Sequence, residues 1–194
     1  MRKLVYYVGV SLDGYIAGPG GEIDFYPLGD DMAAWINARY PESVPTHIRE
    51  HAGIAPDVPN QHWDTLIMGR GTYEPALSAG IASPYAHLEQ YVVSTTLEGI
   101  DDPAVELVRT DPVELVRRLK AKEGPQGKDI WLCGGGTLAG ALIDEIDQLV
   151  IKSYPVLAGT GVPMVRGAFR PSPFTPVQRQ EFGNGAQVTW FERA

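Results

Sequence analysis

Gly134-Gly135-Gly136-Thr137 is the stretch of this 194-residue chain best suited to chemistry on a phosphate. Residues 129–133 read as a buried strand, and residues 137–143 as the opening of a helix. A strand that ends in glycines lets backbone approach a ligand with no Cβ in the way. The helix behind it aims unpaired N–H groups and partial positive charge at an anion. Thr137 is placed to cap that helix and to add a hydroxyl donor. A bare strand-to-helix turn is the simpler alternative, although consecutive glycines exceed what such a turn requires. The spacing also meets the loose dinucleotide fingerprint, with Ala139 in the last place. A Rossmann unit would carry an acidic residue about 20 positions on, where Tyr154 and Pro155 stand instead. A nucleotide site on a different α/β fold fits better.

Other strand ends carry small or polar groups as well: Asp13-Gly14, Gly69-Arg70 with Thr72 close behind, and Ser94-Thr95. In an open α/β sheet ligands lie beyond the carboxyl ends of the strands. Several such ends together suggest a long ligand across the sheet edge, such as a dinucleotide. The glycine-rich loop of residues 14–21 reads either as a mobile lid or as a surface hairpin with nothing beneath it. His47 and His51 are four residues apart on a short helix expected over residues 45–52. No third ligand accompanies them, so no metal site is expected. Cys133, the one cysteine, excludes an internal disulfide and a cysteine-based zinc cluster, and reads as a small buried hydrophobe.

A net charge of −8, with 44% hydrophobic and 21% charged residues, is that of a soluble globular protein that does not seek nucleic acid or anionic membranes. An anionic ligand must then be held by a few placed donors. No apolar run approaches the roughly 20 residues of a membrane span. The basic start Met1-Arg2-Lys3 reaches Ser11 and Asp13 too soon for a signal core, and a cytoplasmic location is expected.

The elements that must position these residues follow from periodicity. Strands are expected over residues 4–10, 63–69, 91–94, 105–108, 129–133, 148–153 and 186–192, the first central because both its faces are apolar. Helices are expected over residues 30–40, with Met32, Trp35 and Ile36 on one face, from 111 onward, with an Asp-Pro start, and from 137 to 144. Strands alternating with helices in a single domain, residues 1–194, predict an α/β fold. Its sheet is mainly parallel and covered on both faces, with an antiparallel C-terminal edge.

Taken in order, residues 8–14, residues 68–74, residues 92–97, the glycine triplet with Thr137, and Pro155 followed by Gly159-Thr160-Gly161 resemble the dihydrofolate reductase superfold. Within that superfold they resemble specifically the small reductases similar to the C-terminal domain of the bifunctional riboflavin-biosynthesis deaminase–reductase. The resemblance spans nearly the whole chain except residues 36–62. It implies a three-layer α/β/α fold, a homodimer joined through the C-terminal part of the sheet, and an NAD(P)H-dependent reductase. Hydride would pass to a small pterin- or pyrimidine-type heterocycle. It further implies that Gly69, Arg70 and Thr72 meet the cofactor phosphates, with Thr72 capping its helix. Ser94 and Thr95 would lie beside the adenosine ribose. Gly134, Gly135, Gly136 and Thr137 would hold the pyrophosphate and nicotinamide side, and Ala17 would close over the nicotinamide. Relatives often carry arginine or lysine where Thr95 stands, so a preference for NADPH rests on Arg70, and NADH stays open.

For the proton donor the resemblance points to Asp31, four residues before Trp35. It would be a buried acid of raised pKa, unless it merely begins a helix. Asp13 would orient substrate or lid, or simply form a turn with Gly14. Two alternatives stand beside this reading: the 5-amino-6-(5-phosphoribosylamino)uracil reductase itself, and a non-catalytic nucleotide- or flavin-binding protein of the same fold. A zinc deaminase site is excluded, because one cysteine cannot supply it.

Overall fold

The apolar run of β1 (Leu4–Val10) is buried on both faces, and the sheet is built outward from it. The computed structural model describes residues 1–194. Parallel neighbours of β1 are β6 (Asp129–Gly134) and β7 (Gln148–Ser153). Beyond β6 lie β3 (Trp63–Gly69), β4 (Glu89–Val93) and β5 (Val105–Val108), all parallel. Beyond β7 lie β10 (Gln187–Arg193) and β9 (Phe174–Glu181), both pairings antiparallel. The order β5-β4-β3-β6-β1-β7-β10-β9 puts the carboxyl ends of six parallel strands along one edge.

Alternation along β1 divides the core in two. Leu4, Tyr6, Val8 and Val10 face α3 (Pro112–Ala121) and α4 (Gly136–Ala141), through Leu115, Val116, Leu119, Leu138 and Ala139. Val5 and Tyr7 face α1 (Asp30–Arg39) and α2 (Arg70–Ser78), through Met32 and Tyr73. The expected three-layer α/β/α architecture with its antiparallel C-terminal edge is therefore what the chain adopts.

Some boundaries differ from expectation. Residues 45–52 hold no α-helix; 3₁₀ turns at Pro41–Ser43 and Thr46–Ile48 lead to a turn at Gly53, whose φ of +72° suits glycine. Pro41 and Pro45 fix φ and lack an N–H, which favours such short turns. Glu42 is fully buried and accepts hydrogen bonds from the N–H groups of His62 (2.7 Å) and Trp63 (3.3 Å), tying residues 36–62 to the start of β3. Strand β9 was not expected, because it contains Pro176 and most of its side chains are exposed. The loop after β1 also contains a short strand, β2 (Tyr15–Ala17), which pairs with β8 (Val162–Pro163).

Candidate nucleotide and substrate site

Strands β3 and β6 lie side by side, and each runs directly into a helix. Gly69 is the N-cap of α2 and Gly135 the N-cap of α4, both in extended backbone. A glycine at the cap leaves the first N–H groups of a helix without a side-chain acceptor, so they remain available to an anion. A Cβ on Gly69 would lie 3.8 Å from the Gly135 nitrogen. Cβ atoms on Gly134 and Gly135 would lie 3.5 and 3.8 Å from the Thr72 hydroxyl, and Ile16 Cδ1 is 3.9 Å from the second of these positions. Gly69, Thr72, Gly134, Gly135 and β2 thus meet at one small cradle. Gly134, with φ of +133°, occupies a conformation that favours glycine.

Gly136 serves close packing. A Cβ there would collide with the Pro163 carbonyl oxygen, as one on Gly140 would with that of Arg166. The Arg166 N–H donates to the Gly136 carbonyl at 2.9 Å, and the Met164 N–H to the Gly14 carbonyl at 2.9 Å. The segment around β8 is therefore seated between α4 and the loop after β1. The turn-rich composition of residues 155–163 showed a connection but not this seat.

Neither threonine caps its helix. Thr72 is the third residue of α2 and Thr137 the second of α4, because the strands run on until a glycine takes the cap. Thr72 is half-buried with its hydroxyl at the cradle, whereas Thr137 is exposed. Arg70 is exposed and bridges Glu74 (Nε to Oε1, 2.7 Å) and the Thr96 hydroxyl (2.7 Å). Ser94 is buried, and its hydroxyl accepts from the N–H groups of Thr96 (3.2 Å) and Leu97 (3.0 Å), which shapes the turn after β4. Thr95 at that turn is exposed. Ala17 is held by its pairing with Val162, so the loop is anchored at this point; Ile16, not Ala17, reaches the glycines.

The two carboxylates depart from the expected roles. Asp13 accepts from the Ser11 hydroxyl (2.6 Å) and from the N–H groups of Ala158 (3.0 Å) and Gly159 (2.7 Å). Those bonds, the serine's foremost, lower its carboxyl to about 2. It clips the residue 155–163 connection to the end of β1. Asp31 is exposed and accepts from the N–H groups of Gly183 (2.9 Å) and Met32 (2.8 Å), and these bonds hold its carboxyl below the usual range. The buried acid of raised pKa expected there is absent. The partner Trp35 packs edge-on against Phe182 and Trp190, which aims this end of α1 at the β9–β10 hairpin and not at the glycines.

On the α1/α2 face, the carboxyl end of the sheet is incompletely covered. Gly9 of β1, Cys133 of β6, Lys152 of β7 and Tyr85 each retain some exposure, although their strands are central. Gly9 leaves a gap in the sheet surface, and a Cβ there would lie 3.1 Å from the Tyr154 ring and 3.8 Å from Lys152 Cε. Tyr154 stacks on Tyr26 at 4.5 Å, and the Tyr26 hydroxyl lies 2.8 Å from the Tyr15 carbonyl oxygen, to which it donates. We read this partly exposed stretch of sheet, flanked by the Tyr26, Tyr85 and Tyr154 rings, as a crevice beside the glycine cradle. Burial raises the Cys133 thiol to about 12, which leaves it inert as a nucleophile. A cleft of about 370 Å³ lies at the far ends of the strands, among Arg39, Tyr40, His62, Gln178 and Trp190, away from every candidate above. No group of three metal-ligating side chains is assembled, and no helix is long and apolar enough to cross a membrane.

The cradle fits a dinucleotide diphosphate, since added Cβ atoms would fill it and the Thr72 hydroxyl at its rim is free to donate. Two proteins of Bacillus subtilis (strain 168) are similar to the chain along most of its length. The uncharacterized protein YwjB is 28% identical over 189 residues, 96% of each chain, and YyaP is 27% identical over 176 residues, 84% of this chain and 80% of the other. A crystal structure of a putative riboflavin biosynthesis protein from Shewanella sp. PV-4 superposes with a TM-score of 0.68 at 25% identity, over 100% of this chain and 99% of that one. A diaminohydroxyphosphoribosylaminopyrimidine deaminase/5-amino-6-(5-phosphoribosylamino)uracil reductase from Thermotoga maritima superposes with a TM-score of 0.64 at 14% identity. There the chain spans 57% of the larger protein, a likeness of fold. The model of the RibD C-terminal domain matches residues 2–188, and the chain belongs to the RibD C-terminal domain family.

Proposed function

We propose that this protein is a reductase that binds NADPH across the carboxyl ends of β3, β6 and β4 and reduces a small pterin- or pyrimidine-type heterocycle. The observation that carries the reading is the meeting of two glycine-capped helix starts, those of α2 and α4, with the Thr72 hydroxyl at one cradle. N–H groups at the start of α2, the Thr72 hydroxyl and the backbone of Gly134 and Gly135 would hold the diphosphate. Arg70, at the start of α2 with its guanidinium on the Thr96 hydroxyl in the turn after β4, would meet the adenosine end. Bound there, the reduced nicotinamide would supply a hydride. Ile16 and the aromatic crevice would exclude water from the reacting ring.

The experiment is titration of the protein with NADPH and with NADH, read by energy transfer from tryptophan to the reduced nicotinamide. Saturable binding that weakens when Gly135 is substituted is the expected result; absence of binding ends the proposal. Consumption of NADPH in the presence of dihydrofolate or a diaminopyrimidine then separates a reductase from a binding protein. The binding-protein reading draws support from one observation: neither Asp13 nor Asp31 is held as a proton donor.

A further inference from the structure

Lys152 is the one lysine of the chain that stands apart from carboxylates and backbone acceptors. Lys3 pairs with Glu192, Lys120 with Asp147 and Lys122 with Glu89, while Lys128 donates to the Gln61 carbonyl. The Nζ of Lys152 instead lies 4.1 Å from the centre of the Tyr7 ring, and Lys152 opposes Gly9 in the register of β7 with β1. Its stem follows the gap left by Gly9, beneath the Tyr154 ring. One strand further is Cys133, the residue just before Gly134, and adjacent strands are about 5 Å apart. An ammonium thus sits in the aromatic crevice, about one strand spacing from the glycine cradle.

Such a placement needs a reason. The ammonium is partly buried and keeps some contact with solvent, and the ring face beneath it recovers only part of the hydration that the crevice removes. A ligand carbonyl oxygen or ring nitrogen in the crevice would complete its shell. We propose that Lys152 is the cationic donor of the substrate half of this site, binding a lone pair of the heterocycle and giving a proton to the nitrogen next to the reduced carbon. This rests on the reductase reading above.

The step balances. The carbon of a ring C=N bond gains the hydride released as the C4–H bond of the reduced nicotinamide breaks. The π pair of that bond moves to nitrogen, which takes a proton from the Lys152 ammonium. Lysine is left as a neutral amine and regains its proton from water, and the nicotinamide leaves oxidised. The groups facing Lys152 are the Tyr7 and Tyr154 rings and the Cys133 thiol, and no carboxylate offsets the burial that lowers its ammonium to about 8. The residue is then mostly charged at neutral pH yet able to part with a proton, as a general acid must be.

The test is competitive acetylation with trace acetic anhydride across pH 6–11, followed by peptide mass spectrometry, with the exposed Lys3 and Lys122 as internal standards and K152M to identify the peptide. Lys152 should label with a midpoint near pH 8, below the ordinary lysine value of 10.5, on a curve distinct from that of the standards. NADPH at about one hundred times its Kd leaves roughly 1% of sites open and should slow Lys152 at least tenfold while sparing the standards. A Lys152 that labels along the standards' curve, or one that stays equally reactive under saturating NADPH, overturns the assignment and leaves the reductase reading standing. No NADPH binding by tryptophan energy transfer overturns both.

Discussion

Replacing Gly135 with alanine separates folding from binding at the cradle. The backbone there, φ −102° and ψ −167°, is open to any residue, and the new methyl would lie 3.8 Å from the Thr72 hydroxyl and 3.9 Å from Ile16 Cδ1, both ordinary contacts. Restricting the unfolded chain should leave stability unchanged or raise it by about 0.4–1 kcal/mol, at most ~4 °C in Tm for a domain this size. The methyl would nevertheless occupy the gap a diphosphate needs. Loss of one hydrogen bond to a charged group costs about 1.5–3 kcal/mol, so Kd for NADPH should rise roughly 10- to 150-fold. Gly136→Ala is the contrast, because its methyl meets the Pro163 carbonyl and forces the β8 segment to shift. That overpacking should cost about 1–3 kcal/mol, or roughly 2–12 °C in Tm. Differential scanning fluorimetry and NADPH titration on both variants decide the matter. A G135A protein that keeps its Tm and binds NADPH within twofold of the parent would refute the cradle.

Arg70→Ala should weaken NADPH about five- to thirtyfold, ~1–2 kcal/mol for one partly screened charged contact, and NADH by less than twofold; equal losses would remove Arg70 from the 2′-phosphate. Asp13 has a folded-state pKa of about 2 against 3.8 for the free side chain. Its stabilising contribution is therefore complete above pH 3.8 and disappears as pH falls through 2. Asp13→Asn should thus lower Tm at pH 6, with the gap to the parent closing between pH 4 and 2. A gap constant with pH would show that the carboxylate does not clip the 155–163 connection. Exposed β9 and the antiparallel edge predict a homodimer, so gel filtration with light scattering should return twice the chain mass, and a clean monomer would deny it.

What burial dictates was legible in the residues. The apolar runs that became β1, β3, β6 and β7 announced themselves, because a strand covered on both faces must be apolar along its length. Strand β9 gave no such signal, since its outer position leaves its side chains in solvent and its pairing rests on backbone alone. The glycine cradle was visible as composition, but its caps were misassigned to Thr72 and Thr137. Hydroxyl residues are the usual caps, and only the structure shows β3 and β6 running up to Gly69 and Gly135. Asp31 was expected as a buried acid because the resemblance matched its four-residue spacing to Trp35, a matter of helix phase. Phase does not tell how far the first turn projects, and here it projects to the β9–β10 hairpin.

The same limit explains why the acid of the site was sought on a helix. A carboxylate donates at neutral pH only if desolvation raises its pKa, and both Asp13 and Asp31 are surrounded by N–H or hydroxyl donors that do the opposite. An ammonium obeys the reverse rule: burial lowers its pKa toward neutrality and makes it a better donor. In residues 149–152, Leu-Val-Ile-Lys, a lysine interrupts the apolar run of a central strand, a position where a charge is costly unless it meets a partner. The strand puts it opposite a glycine and in a crevice that opens beside the cradle, so the cost falls where a ligand can offset it. On this argument the polar residue in the β7 run, rather than the acidic start of α1, marks the reacting end of the site.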